Sequence, residues 1–206
     1  MSIHTEINPI RPDFQIISDW IKPNSRVLDL GCGDGVLMNH LQNTKQVQGY
    51  GLERDAKNIA KCIDNNVNVI QMNLNDGLPS FDDQSFDYVT LSLTLQSIKR
   101  ATELIDEMLR VADEGIVSFP NFGYWKIRMQ LAIGGKMPVS RSLPYEWHDT
   151  PNIRLCTVKD FEAFCHKRHI SILESRVLNN RYKSTFKQTM LPNLFGNIAM
   201  YRISRN

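Results

Sequence analysis

The stretch Val27-Leu28-Asp29-Leu30-Gly31-Cys32-Gly33-Asp34-Gly35 decides the fold. An apolar run ends in three alternating glycines, and Val36-Leu37-Met38 and Leu41 follow at helical spacing. The pattern is a strand, a tight turn and a helix. Glycine has no Cβ and takes positive φ, so such a turn lets the backbone approach a ligand closely. The dinucleotide fingerprint G-x-G-x-x-G would need a glycine where this chain has Val36. Asp29, just before the turn, would repel a pyrophosphate. It suits a ligand with a positively charged amino-acid end, met directly or through water.

Outward from this turn the alternation continues. Val47 to Leu52 reads as a strand, Asp55 to Asn65 as a helix and Val67 to Gln71 as a strand. Phe86 to Leu91 makes a fourth strand, Arg100 to Val111 a helix, and Gly115 to Phe119 a fifth strand. On the N-terminal side, Pro12 to Ile21 is an amphipathic helix carrying Phe14, Ile17 and Ile21 on one face, stopped by Pro23-Asn24-Ser25. Strands alternating with helices give a parallel sheet covered on both faces, wound by right-handed crossovers.

After Pro120 the pattern changes. Residues 121–156 hold Trp125, Trp147, Gly134-Gly135 and several prolines without a clean strand, and read as a lid or insertion. Thr157-Val158-Lys159-Asp160 resembles a capping box with Asp in place of Glu, opening a helix with Phe161, Phe164 and Cys165. Ile170 to Leu173 and Gly196 to Tyr201 are expected as final strands forming an antiparallel edge. The expected architecture is therefore α/β, a Rossmann-like, doubly wound, mostly parallel sheet with an aromatic-rich insertion and a C-terminal antiparallel edge. One domain is expected over residues 1–206, with residues 1–25 as an N-terminal helical segment.

Composition narrows the functional classes. No apolar run approaches the roughly 18 residues of a membrane span, and the first residues lack a basic stretch followed by an apolar one, so a cytoplasmic, soluble protein is expected. The four cysteines show no CxxC spacing, which suggests neither a disulfide framework nor a zinc site. The net charge of +2 hides an asymmetry. Residues 1–120 carry 10 Lys and Arg against 17 Asp and Glu, whereas residues 121–206 carry 14 against 5. Because the basic residues are scattered, solvated helix faces explain them better than a nucleic-acid surface.

A second anchor sits at the end of the second strand. Gly49-Tyr50-Gly51-Leu52-Glu53 places a carboxylate about 20 residues beyond the turn, where an acid grips a ribose diol. With these residues assembled, the chain resembles the class I S-adenosylmethionine (SAM)-dependent methyltransferases through Val27 to Gly35, Glu53 and Phe86-Asp87, over about residues 25–120. The resemblance implies SAM or S-adenosylhomocysteine (SAH) as the cofactor. It also implies that the end of the third strand, Asn73 and the backbone of Leu74, reads the adenine. Many relatives have Asp at the position of Asn73, whose amide can still hydrogen-bond the adenine amino group. The positions expected to hold the cofactor are Asp29, Gly31, Cys32, Gly33, Gly35, Glu53, Arg54, Asn73, Leu74 and Leu91.

Further segments resemble the methionine-biosynthesis MetW family over nearly the whole chain. They are Ser118-Phe119-Pro120-Asn121-Phe122-Gly123, Met137-Pro138-Val139-Ser140, Leu143-Pro144-Tyr145 and Thr150-Pro151-Asn152-Ile153. That resemblance implies a methyltransferase-like fold and an association with homoserine O-acyltransferase.

A catalyst is hard to find in this sequence. Ser92, Thr94 and Gln96 follow the fourth strand, and none is a strong base. No Asn-Pro-Pro-Tyr segment or Pro-Cys nucleophile is present, which disfavours nucleic-acid methylation. His148, between Trp147 and Asp149, is the best general-base candidate, set against an uncommitted loop histidine. Cys165 and His169 share a helical spacing but lack further ligands for a metal. Phe122, Tyr124, Trp125, Tyr145 and Trp147 could line an acceptor pocket, form an interface or close the core. Two readings compete: a SAM- or SAH-binding accessory protein of methionine synthesis, and a methyltransferase of a small acceptor. A carboxylate acceptor would need no base, and Trp125, Arg128, Arg141 and Arg154 could supply cationic walls for it.

Overall fold

The computed structural model describes residues 11–140, 142–179 and 190–205. Arg141 and residues 1–10 of the N-terminal segment lie outside the described residues. The strands are β1 (Arg26–Leu30), β2 (Gln48–Glu53), β3 (Val69–Gln71), β4 (Phe86–Ser92), β5 (Ala112–Pro120), β6 (Ile170–Leu178) and β7 (Ile198–Arg205). The longer helices are α1 (Pro12–Trp20), α2 (Val36–Lys45), α3 (Ala56–Asp64), α4 (Ala101–Val111), α5 (Trp125–Gly134) and α6 (Val158–Lys167), and a single helical turn at Pro192–Phe195 precedes β7. All seven strands share one sheet in the order β3-β2-β1-β4-β5-β7-β6. The pairs among β1 to β5 are parallel, and β7 runs antiparallel between β5 and β6. The expected parallel sheet with an antiparallel C-terminal edge is thus borne out. The final strands run longer than expected, because their outward-facing polar residues mask the alternation.

Residue alternation along each strand splits the interior into two layers. Leu28 and Leu30 point to the side packed by Ile105, Met108, Phe119 and Phe161. Val27 points to the opposite side, against Phe14, Ile17, Leu37, Met38 and Leu41. The strand order reverses between β1 and β4, and a crevice opens at the carboxyl ends of the strands there.

The 121–156 segment is not wholly irregular, since it contains α5. Its ends are tied down by Asn121, which is fully buried. Asn121 Nδ2 donates to the carbonyls of Asn193 (3.1 Å) and Gly196 (2.8 Å), while Oδ1 accepts from the backbone N–H groups of Gly123 (2.9 Å) and Val158 (3.2 Å). One side chain thereby fixes both ends of the insertion to the entry of β7.

Before α6 the expected capping box is present. Thr157 Oγ1 accepts from the Asp160 backbone N–H, and Asp160 Oδ2 accepts from the Thr157 backbone N–H at 3.0 Å. Replacing Thr157 with alanine should lower unfolding free energy by about 1 kcal/mol, read as a shifted urea midpoint with an unchanged slope. Among the described residues no helix is long and apolar enough to cross a membrane.

Candidate functional site

The glycine turn sits where β1 leaves the sheet. Gly31, Gly33 and Gly35 have φ of 69°, 59° and 77°, in the left-handed region where a Cβ is strained. The N–H groups of Gly31 and Cys32 both donate to the Leu52 carbonyl, at 2.8 and 3.1 Å, hooking the turn onto β2. A Cβ on Gly31 would also lie 2.8 Å from the Thr94 side chain, so this position needs glycine for space as well as for conformation.

Glu53 closes the turn from the other side. Its Oε2 accepts from the Gly33 N–H at 3.0 Å, and its Oε1 accepts from the N–H groups of Arg54 (2.7 Å) and Asp55 (2.9 Å). Three backbone donors orient the carboxylate at the mouth of a pocket of about 180 Å³. Gly31, Glu53, Arg54, Asn73 and Leu74 line this pocket, as expected from sequence. Thr94, noted in the sequence only as a group after the fourth strand, lines the wall together with Ser97, Ile98, Met72 and Asn75, which sequence reasoning did not find. Sites for drug-sized ligands are roughly 300–1,000 Å³, so a nucleoside needs the side chains at this mouth to move apart.

Five of the expected cofactor positions do not line the pocket. Leu91 is fully buried in the core beneath it. Cys32 is buried with its Sγ 3.7 Å from Cys62 Sγ, and burial pushes the Cys32 thiol up, which keeps it protonated and inert. Gly33 contributes its N–H to Glu53, and Gly35 caps α2. Asp29 lies under the turn at 2% exposure, accepting a 2.5 Å hydrogen bond from Thr90 Oγ1. Burial pushes its carboxyl up to about 6, against the Thr90 bond, which lowers it; Glu53 adds a smaller upward push. Its influence on a ligand therefore acts through the turn as a field, with the charge present only above about that pH.

Asn73 has a more specific geometry than expected. Its Oδ1 already accepts from the backbone and side-chain nitrogens of Asn75, at 3.2 and 3.1 Å. Both bonds fall on Oδ1; the Nδ2 group is a donor, which by its chemistry suits a purine ring nitrogen better than the exocyclic amino group.

The catalytic candidates do not gather here. His148 is exposed and outside the pocket lining, with Nδ1 3.8 Å from the Glu146 carboxylate. The cationic walls considered for a carboxylate acceptor are also dispersed. Arg128 Nε donates to the Gly123 carbonyl at 2.5 Å, Trp125 faces solvent on α5, and Arg154 lines a different cavity. The aromatic group divides likewise. Tyr124 packs with Ile127, Leu143 and Phe122, whereas Trp125, Tyr145 and Trp147 are exposed. Cys165 is buried in the core, and no group of three metal-ligating side chains occurs among the described residues.

Comparison with known proteins fits this geometry. The family model for the methionine biosynthesis protein MetW matches residues 11–203. A bifunctional methionine biosynthesis protein MetXA/MetW of Rhodopirellula baltica is 37% identical over 186 residues, covering 82% of this chain and 30% of that one. The chain thus spans about a third of that relative's length. Among solved structures, a SAM-dependent methyltransferase of Thermotoga maritima, described as a possible histamine N-methyltransferase, superposes with a TM-score of 0.67 at 15% identity, covering 95% of this chain and 88% of that one. A SAM-dependent methyltransferase of Mesorhizobium loti gives a TM-score of 0.67 at 15% identity over 95% and 98% of the two chains. The fold is that of the class I SAM-dependent methyltransferases.

Proposed function

The chain belongs to the MetW family of methionine biosynthesis proteins, and from that premise we propose that it binds SAM or SAH and acts with homoserine O-acyltransferase as a regulatory subunit. The observation that carries the ligand half is the Glu53 carboxylate, held by three backbone N–H groups at the mouth of the glycine-turn pocket. A ribose diol donates two hydrogen bonds to such a carboxylate. Gly31 gives the amino-acid end close backbone approach, and Asp29 supplies a buried negative charge beneath it. Asn73 takes the purine edge. Bound SAM would supply an electrophilic methyl group, but apart from Glu53, which this reading commits to the ribose, no residue lining this pocket is a base able to activate a protonated acceptor.

The partner half is supported by the Rhodopirellula protein, in which a MetXA part and a MetW part are joined in one chain, and by the surface of the insertion. On α5 and the turn after it Trp125, Met129, Leu131, Ile133, Met137 and Val139 are exposed, while Ile127 alone of that helix is buried. Residues 121–140 also carry Lys126, Arg128 and Lys136 with no acidic residue. Exposed apolar side chains interspersed with basic ones fit a partner surface that is apolar with acidic groups. A free acyltransferase subunit is the proposed partner.

Co-purification and acylation assays with the acyltransferase test the reading. We expect a stable complex whose acylation rate changes with added SAM, because the ligand must bind the free and assembled states with different affinity. Ile133→Asp is expected to weaken the complex by about tenfold or more, measured by calorimetry, with SAM binding retained. No complex and an unaltered acylation rate would sink the partner assignment. Catalytic conversion of SAM to SAH with a carboxylate metabolite would favour the methyltransferase reading instead.

A further inference from the structure

A second cavity, of about 540 Å³, opens between α4 and α6 beside the carboxyl ends of β4 and β5. Its floor is aromatic: Phe119 and Phe161 are buried with ring centroids 5.1 Å apart, and Phe164 lies 6.2 Å beyond Phe161. Its rim carries charges of both signs. Lys99 and Arg154 stand on one part of it, where Arg154 Nη2 donates to the Lys99 carbonyl and positions the guanidinium, and Glu103 and Asp160 also line it. Glu103 bonds its own backbone N–H, makes an exposed 3.4 Å pair with Arg100 and feels the charge of Arg154; exposed pairs of this kind yield readily to a competing ligand.

One polar atom in this wall lacks a partner. Gln96 donates from Nε2 to the Leu93 carbonyl at 2.5 Å, while its Oε1 is buried and accepts no hydrogen bond. A buried acceptor left bare is costly, and Gln96 is one of the residues lining the cavity, so a small turn of its amide would bring Oε1 to a ligand there. The backbone carbonyl of Gln96 meanwhile accepts from the N–H groups of both Ile153 and Arg154, at 2.8 and 3.0 Å, so the insertion strand is fixed across the mouth.

We propose that this cavity binds a free α-amino acid with an apolar side chain. The carboxylate meets Arg154 and Lys99, the ammonium donates to Gln96 Oε1 and faces Glu103, and the side chain lies on the phenylalanines. Charges of both signs around an apolar floor exclude a simple fatty or aromatic acid, which would leave the acceptor and the carboxylates unmatched. A thioether or aromatic side chain gains further from ring contacts. The assignment goes beyond the SAM reading and uses none of the residues assigned to SAM. The two cavities share only the β4–α4 connection as a wall.

Isothermal calorimetry on the full chain, with L-methionine, L-phenylalanine and L-leucine as probes, tests it. At least one should bind saturably with Kd below about 1 mM. Binding should weaken about tenfold or more in Arg154→Gln and in Gln96→Leu, and equally for L-methioninol and N-acetyl-L-methionine, which lack one charge each. Arg154 and Gln96 both line the cavity, and a thermal melt checks that both variants fold. Absence of saturable heat up to about 10 mM for all three amino acids overturns the proposal, as does an affinity unchanged in both variants. Titrating SAM into the same preparations reads the other site separately: SAM binding without amino-acid binding sinks this inference alone, and the reverse sinks the SAM reading alone.

Discussion

Glu53→Ala is expected to weaken SAM binding about a hundredfold, measured by calorimetry, the largest loss from any single side chain of the pocket. Two hydrogen bonds from a ribose diol to an oriented carboxylate are each worth about 1.5–3 kcal/mol, and their joint loss corresponds to two or more decades in Kd. The truncation acts twice, because the same carboxylate holds the Gly33, Arg54 and Asp55 N–H groups and so shapes the turn. Glu53→Gln separates the two contributions. It keeps one oxygen as an acceptor for Gly33 but removes the charge, so affinity should fall by about tenfold. Because the carboxylate also holds three backbone N–H groups, thermal stability without ligand should fall in Glu53→Ala, and a melt of each unliganded variant separates this from the loss of affinity. A Glu53→Ala protein that binds SAM within a few-fold of the wild type would remove the central support for the proposed ligand.

The glycine turn and Glu53 were legible in the sequence because each occupies a fixed offset from a strand end, Asn73 and Leu74 came only from the family resemblance, and β1 to β5 were legible from their apolar runs. The rest of the site was hidden for definite reasons. Ser97 and Ile98 reach the pocket from a connection folded as a 3₁₀ turn at Leu95–Ser97, which leaves no periodic signature. Helix α5 was hidden because its apolar residues do not gather on a buried face: Ile127 is buried while Trp125, Met129, Leu131 and Ile133 are exposed. Amphipathic periodicity reports a helix that packs on its own core, and this one presents its apolar residues outward. Asp29 illustrates the third limit. Its residue type was readable, but its protonation depends on burial beneath the turn, opposed by the bond from Thr90, which lies directly opposite in the β1–β4 register and 61 residues away in sequence.

That buried pair makes Asp29→Asn the second large expected effect, and it is an effect of pH. The Asp29 carboxyl titrates near 6 in the folded chain against 3.8 for an ordinary aspartate. Folding therefore favours the protonated form. The stabilisation associated with that proton is fully present below about 3.8, and it is lost as pH rises towards 6 and beyond. A shift of this size corresponds to about 3 kcal/mol. Asparagine has no charge to bury, and its amide oxygen can still accept from Thr90. The difference in unfolding free energy, variant minus wild type, should thus rise by about 3 kcal/mol between pH 4 and pH 8 in urea titrations. A difference that stays flat across this range would show that Asp29 titrates normally and that its burial carries no electrostatic cost. The ligand should reverse the logic. A cationic amino-acid end above the turn favours ionised Asp29, so saturating SAM should lower the carboxyl's titration point and flatten the wild-type profile. By the same linkage SAM affinity should rise with pH through about 6 in the wild type and lose that rise in Asp29→Asn. The buried acid would then act as a store of unfavourable charge that the ligand's own charge relieves. This couples occupancy of the pocket to the stability of the switch point between β1 and β4.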